Sequence, residues 1–387
     1  MANQANHNVD WDETRLISYE NISEVDSETI ELVSAIGRTT ASPIVAQSDL
    51  PPAHTAMMDG FAVSGTGPWR ISGEVRAGQF QAEIESGTAI KVSTGAHIPP
   101  ACNFVIPNED AIIFDGDVAS KVPVPIGKHI RVPGDEAATG EVILEAGKII
   151  SPAAAGLITS SSIDEVSVRK IPYVDILITG DELVGAGFAA PGQIRDSLSI
   201  QIPSWITNLG GQVGQLTRVP DEANLTRSAI ASCLAPIIIT TGGTAHGDYD
   251  YVRRALTDLS AQILIDEINM RPGHPTVLAK LPSGQLVASL PGNPLAAVVA
   301  FLTIVAPALN RLLGQPLKSL GICALGKEFS ADQTRIVPVK IENGKAFETK
   351  YRGSAMLRGL VQADALGVIS TGENPTGTQI RLLDLPW

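Results

Sequence analysis

The sequence predicts a multidomain α/β-plus-β protein. A doubly wound, mostly parallel α/β domain occupies the second half, with short-stranded β regions on either side. Three observations carry this. The chain has 387 residues, too many for one ordinary core, so two to four domains are expected. Between residues 171 and 314, buried-type apolar strands alternate with helical stretches, the pattern of a sheet with crossover helices. Gly (36) and Pro (26) are plentiful and aromatics make up only 4%, which demands many tight turns and short strands.

Each element follows in order. Residues 12–36 carry Leu16, Ile17, Ile22, Ile30, Leu32, Val33 and Ile36 at roughly helical spacing. From 51 to 128, short alternating runs such as Trp69-Arg-Ile-Ser-Gly, Ala89-Ile-Lys-Val-Ser and Ala111-Ile-Ile-Phe are broken by Gly, Pro and Asp, which predicts a small barrel or sandwich. Val174-Asp-Ile-Leu-Ile-Thr is a buried-type strand. A helix over 199–209, a strand over 211–219 and a helix over 221–233 capped by Asp221 follow it. Ile237-Ile-Ile-Thr-Thr and Ala261-Gln-Ile-Leu-Ile are further strands. Asn293 is a good cap and Pro294 a good first residue for a last helix. After Gly314 the runs at 335–341, 365–369 and 379–383 predict a small C-terminal β domain.

Composition narrows function. Hydrophobic residues at 44% and charged residues at 18% describe a folded chain. A net charge of −13 repels nucleic acid and anionic membranes, so neither is expected as a partner. An anionic substrate would need a local basic pocket or a bridging cation. Cys102, Cys233 and Cys323 make no CxxC pair and no zinc spacing, so reduced thiols and a cytoplasmic location are expected. The N-terminus is polar. The longest apolar stretch, 295–313, is interrupted by Pro307 and Asn310, so no membrane span is expected.

Chemistry concentrates at the ends of the α/β strands. Ile237-Ile-Ile-Thr-Thr-Gly-Gly-Thr-Ala-His-Gly-Asp-Tyr-Asp runs an apolar strand into two glycines, where an anion can approach the backbone. Asp248 and Asp250 suit a metal or an oriented ligand; a tight turn with an Asp cap explains them equally well. Asp181 and Glu182 end the first strand, where helix capping is the plainer reading. Arg271 and His274 stand on the proline-stiffened loop Met270-Arg-Pro-Gly-His-Pro, an anion grip or a pair of solvated side chains. Leu290-Pro-Gly-Asn-Pro reads as a rigid turn, Met57-Met58 as packing and Asp59-Gly60 as a turn.

Taken together these segments resemble the molybdopterin molybdenumtransferase family, also known as MoeA and the gephyrin E domain. The matches run in order over nearly the whole chain: Leu50-Pro-Pro with Met58-Asp-Gly-Phe-Ala, Ser93-Thr-Gly-Ala, Thr179-Gly-Asp-Glu-Leu, Gly192-Gln-Ile-Arg-Asp-Ser, Thr241-Gly-Gly, Gly247-Asp-Tyr-Asp, Met270-Arg-Pro-Gly-His-Pro and Leu290-Pro-Gly-Asn-Pro. The resemblance implies an elongated N-terminal domain (1–52 and 129–170) with an inserted β domain (53–128). It also implies a molybdopterin-binding α/β domain (171–314) and a C-terminal β-barrel domain (315–387). The implied reaction takes adenylylated molybdopterin and molybdate, with Mg²⁺, to molybdenum cofactor and AMP. The implied homodimer joins the α/β domain of one subunit to the Met58-Asp-Gly region of the other. A molybdopterin adenylyltransferase and molybdoenzymes are implied as further partners.

By the same resemblance, Asp59, Glu182, Asp221 and Asp250 are catalytic acids, with Glu182 and Asp250 as metal ligands. Asp196, Ser197, Thr241, Gly242, Gly243, Thr244, Asp248, Arg271, His274, Pro275, Arg335 and Ser354 hold pterin or molybdate. The chain departs from the family pattern at Ala56, Leu198, Thr244-Ala245, Glu267, His274 and Ala296, where hydroxyls, amides or amines are usual. The alternative to a working transferase is therefore a non-catalytic molybdopterin-binding scaffold or carrier. A single-domain adenylyltransferase would fit residues 171–314 alone.

Overall fold

The structure is a computed structural model that describes residues 6–242 and 251–387. It forms two compact units, Met1–Glu28 with Arg169–Trp387, and Thr29–Val168.

The first unit is built on a seven-stranded sheet in the order Asn6–Val9, Gln262–Ile268, Val277–Lys280, Leu286–Leu290, Ile237–Thr241, Tyr173–Thr179, Gln212–Val219. The last four strands are parallel throughout, whereas Val277–Lys280 runs antiparallel to both neighbours. Ile237–Thr241 is buried at every residue because both sheet faces are covered. Ile237 and Ile239 join a core with Ile202, Trp205 and Phe301, while Ile238 joins a second with Ile230, Val252 and Leu256. Helices Leu198–Asn208 and Pro294–Leu312 thus cover one face, and Ala223–Ser232 and Tyr251–Asp258 the other. That is the doubly wound arrangement expected. The strands Asn6–Val9, Val277–Lys280 and Leu286–Leu290 were not expected.

Three local expectations are corrected. The helical spacing over 12–36 breaks at Glu20: helix Trp11–Glu20 is followed by strand Ser27–Glu31 and a short helix, Leu32–Ala35. Ile22 belongs to the core of the first unit and Leu32 to that of the second, so one continuous helix could not bury both. The stretch interrupted by Pro307 is continuous: Pro294–Ala300, a π turn at Phe301–Val305, then Ala306–Leu312. Proline has no N–H to donate and its ring crowds the carbonyl four residues back, and the wider turn relieves both. The helix is 19 residues long and apolar enough to span a bilayer, but 83% of its most apolar 18-residue stretch is buried in the protein. Asn293 holds the cap position without a side-chain hydrogen bond.

The C-terminal strands close on themselves. Thr334–Glu342, Lys345–Glu348, Gly321–Leu325, Gln379–Asp384 and Ala365–Ile369 pair in that order and return to Thr334–Glu342, around Leu325, Val337, Val339, Ala346 and Ile380. Closure leaves this small sheet no free edge.

In the second unit, a six-stranded sheet is ordered Phe104–Pro107, Gly60–Val63, Thr88–Val92, Trp69–Val75, Asp117–Ser120, Ala111–Phe114. The expected barrel or sandwich is one open sheet with an apolar cluster on each face. Alternation sends Ala62, Ile90 and Val92 to one cluster and Phe61, Val63 and Ala89 to the other. A separate core unites Leu32, Ile44, Ile158 and Val168.

Candidate functional site

Parallel strands Tyr173–Thr179, Ile237–Thr241 and Leu286–Leu290 end side by side. The Thr179 hydroxyl donates to the Thr241 carbonyl, and the Gly242 N–H donates to the Leu290 carbonyl at 2.8 Å. Gly242 has φ +81°, and a Cβ there would stand 3.1 Å from Thr179 Oγ1. The positive φ favours glycine, and the close hydroxyl leaves little room for a side chain. Thr179, Gly180, Glu182, Asp221, Thr226, Gly242 and Tyr251 line a cavity of about 130 Å³ at these strand ends. Ligands of open α/β sheets bind at this location.

The acids at its rim are exposed and organised. The N–H of Asp181 donates to Asp221 Oδ2 and the N–H of Asp221 donates to Asp181 Oδ1, both at 3.3 Å. This reciprocal clasp corrects the expected cap: helix Ala223–Ser232 has Glu222 at its cap, and Asp221 turns to the neighbouring loop. Glu182 stands beside it on the same rim.

Asp196 and Ser197 are positioned differently. Asp196 is only 5% exposed. Its carboxylate accepts from the N–H groups of Leu198 (3.1 Å) and Ser199 (3.0 Å) and pairs with Arg218 Nη2 at 2.6 Å. It therefore fixes the start of helix Leu198–Asn208, where Ser197 holds the cap position without a side-chain cap bond. Arg218, unnoticed in the sequence, lies near the carboxyl end of its strand, a position that could have marked it.

The basic candidates come together through the C-terminal domain. Strand Met270–Arg271 pairs in parallel with Thr334–Glu342, with Arg271 opposite Arg335. Paired strands lie roughly 4.8 Å apart, so the two arginines leave neighbouring backbone positions, an arrangement that suits one shared anion. The Ser354 carbonyl accepts from the N–H groups of Leu295 (2.9 Å) and Ala296 (3.2 Å) in the first turn of helix Pro294–Ala300. A Cβ on Gly273 would lie 3.5 Å from the Ala296 carbonyl, so the Arg271 loop and Ser354 meet at one helix start.

Both ring nitrogens of His274 have protein neighbours. Its Nδ1 lies 2.8 Å from the Ile268 carbonyl, an acceptor, so Nδ1 carries the hydrogen. Its Nε2 faces Glu267 Oε2 at 3.6 Å. Glu267 has φ +70°, a conformation uncommon outside glycine. Pro275 is half-buried beside Thr276, whose hydroxyl donates to the Gly273 carbonyl at 2.6 Å.

In the second unit, Asp59 Oδ1 accepts from the Thr94 N–H at 2.6 Å and hydroxyl at 2.8 Å. The Thr94 backbone and side-chain hydrogen bonds hold its carboxyl below the usual carboxylate range. A Cβ on Gly60 would fall 2.0 Å from the Ile106 carbonyl, which explains the Asp-Gly pair structurally. Met57 is exposed and Met58 half-buried, so any packing they provide is at the surface. Of the departures from the family pattern, Ala56, Leu198 and Ala296 are all buried. Gly243, Thr244, Ala245, Asp248 and Asp250 lie outside the described residues. Among the described residues no group of three or more His, Cys, Asp or Glu is placed to hold a metal.

Comparison with known proteins covers most of the chain. Residues 9–162 match the MoeA N-terminal region (domain I and II), 175–311 the probable molybdopterin binding domain and 324–385 the MoeA C-terminal region (domain IV). The molybdopterin molybdenumtransferase of Staphylococcus epidermidis RP62A is 30% identical over 305 residues, 75% of this chain and 73% of its own. That of Staphylococcus aureus MSSA476 is 29% identical over 307 residues, 76% and 73% of the two chains. A crystal structure of a MoeA molybdopterin biosynthesis protein from Pyrococcus horikoshii OT3 superposes with TM-score 0.78 at 25% identity, covering 97% of this chain and 100% of that one.

Proposed function

The chain belongs to the molybdopterin molybdenumtransferase (MoeA) family, and from that membership we propose that it transfers molybdenum from molybdate to adenylylated molybdopterin with release of AMP. It is a transferase of molybdenum cofactor biosynthesis. The observation that most supports the finer reading is the division of the strand ends into two neighbourhoods. Exposed carboxylates of Glu182 and Asp221, the latter clasped to Asp181, line a cavity with Gly180 and Gly242, while Arg271 and Arg335 lie in register on paired strands. Acids suit a metal-bridged phosphoanhydride; paired arginines suit a tetrahedral oxyanion. Such a division suits a chain of net charge −13 that takes polyanions.

The donor set fits Mg²⁺, because carboxylate and hydroxyl oxygens are hard ligands. Glu182 and Asp221 are the described residues that would hold it, with Asp250 as the further acid implied by sequence. When bound, the ion would neutralise charge on the phosphoanhydride. The protein's own groups bind and orient: Gly242 lets the ligand approach the backbone, and Arg271 and Arg335 hold molybdate. The non-catalytic scaffold reading is not favoured, since the relatives are named as transferases. The deciding assay is AMP release from adenylylated molybdopterin. Release that requires molybdate is expected; release indifferent to molybdate sinks the reading.

We also propose a cytoplasmic homodimer. The three cysteines are free, and burial pushes the thiols of Cys102 up to about 12 and Cys233 to about 11, as suits inert reduced thiols. In the second unit an open hollow of about 970 Å³ is lined by Leu32, Val33, Ile36 and Ala155. Val33 is 75% and Ile36 48% exposed, apolar surface that a second copy would bury. Light scattering should give the mass of two chains, and Val33→Glu should shift it toward one. A wild-type monomer at micromolar concentration would refute the dimer.

A further inference from the structure

We propose that Phe188 stacks on a planar heterocycle of the bound substrate, the pterin or the adenine. The proposal rests on the functional reading above and adds a substrate contact to it. Phe188 is 104% exposed, so its ring packs on nothing among the described residues. It stands in the loop 185–193, Gly-Ala-Gly-Phe-Ala-Ala-Pro-Gly-Gln, where it is the one large apolar side chain among small residues.

That loop leaves the rim of the site at Glu182 and returns to the structural carboxylate of Asp196. Strands Leu183–Val184 and Ile194–Arg195 pair in parallel at its base, and Glu182 and Asp196 flank them. The base is tied by Ile194 N–H to the Glu182 carbonyl at 2.9 Å and Asp196 N–H to the Val184 carbonyl at 3.1 Å. The loop itself is braced. Arg195 donates to the carbonyl of Gly187 and, at 3.1 Å, to that of Gly185; the Ala190 N–H donates to the Gln193 side chain at 3.1 Å. Phe188 follows directly on the residue Arg195 holds. The ring is therefore presented from a fixed backbone. A bare aromatic face on a braced loop, rising from the rim of a cavity lined by Glu182, suits a flat π system. Such stacking tolerates different heterocycles because each offers a π face.

The test uses the full-length protein in the AMP-release assay. Phe188→Ala should raise KM for adenylylated molybdopterin about tenfold, the scale of one lost stacking contact, with kcat nearly unchanged. Phe188→Leu should stay impaired and Phe188→Trp should recover. Quenching of the Phe188→Trp variant's fluorescence, over that of wild type, by AMP or by free pterin would assign the partner ring. If Phe188→Leu restores KM, apolar burial suffices and stacking is overturned. Stacking is overturned equally if Phe188→Ala keeps wild-type KM and neither compound quenches. Failure of the wild-type protein to release AMP would refute the functional reading, whereas quenching would still report on Phe188.

Discussion

Glu182→Gln should lower molybdate-dependent AMP release by ~10²–10³ while leaving the fold intact, the cost of losing one preorganised charged group in a reaction, ~3–4 kcal/mol. Glu182 is exposed on the cavity rim, and its backbone carbonyl, which the substitution keeps, is what ties the 185–193 loop. An isosteric amide keeps shape and removes charge, so the thermal midpoint should move little. Asp221→Asn behaves differently, because it also weakens the clasp from the Asp181 N–H. Wild-type AMP release by Glu182→Gln, measured at saturating substrate, would take Glu182 out of the reaction.

Arg271→Gln and Arg335→Gln should each weaken molybdate binding ~10-fold or more, since a charge-assisted hydrogen bond contributes about 1.5–3 kcal/mol. The two arginines lie in register on paired strands. Without an anion they repel, and a shared dianion relieves that repulsion. The double variant should therefore lose less than the product of the single losses, as expected of residues serving one ligand. Calorimetric titration with molybdate measures all three. Unchanged affinity in both single variants would move the oxyanion elsewhere. Glu267 bears on the same loop: its carboxylate faces His274 Nε2, so His274 answers to a protein acid before it answers to a ligand.

The sequence made much of this legible, for identifiable reasons. Ile237-Ile-Ile-Thr-Thr reads as a strand because burial on both faces demands a continuous apolar run, and glycines after it read as a site because only a bare backbone lets a ligand approach so closely. The ordered motifs identified the family, which the comparisons then showed. Helix Pro294–Ala300 was marked by its proline at the first turn.

Other features depended on partners far along the chain. Asn6–Val9 looks polar and becomes a strand because Gln262–Ile268 offers it an edge. Asp221 looks like a helix cap and instead clasps Asp181, 40 residues away. Asp196 looks like a ligand group, yet Arg218 and the start of helix Leu198–Asn208 occupy its oxygens. Arg271 and Arg335 are 64 positions apart and meet by strand pairing. Periodicity, turn chemistry and ordered motifs are local properties, so the sequence alone determined the α/β class of residues 171–314, the β character of the segments around them and the family. Which carboxylate is free for a ligand, and which cations stand together, is a question of hydrogen-bond competition between distant segments, and only the tertiary structure decided it.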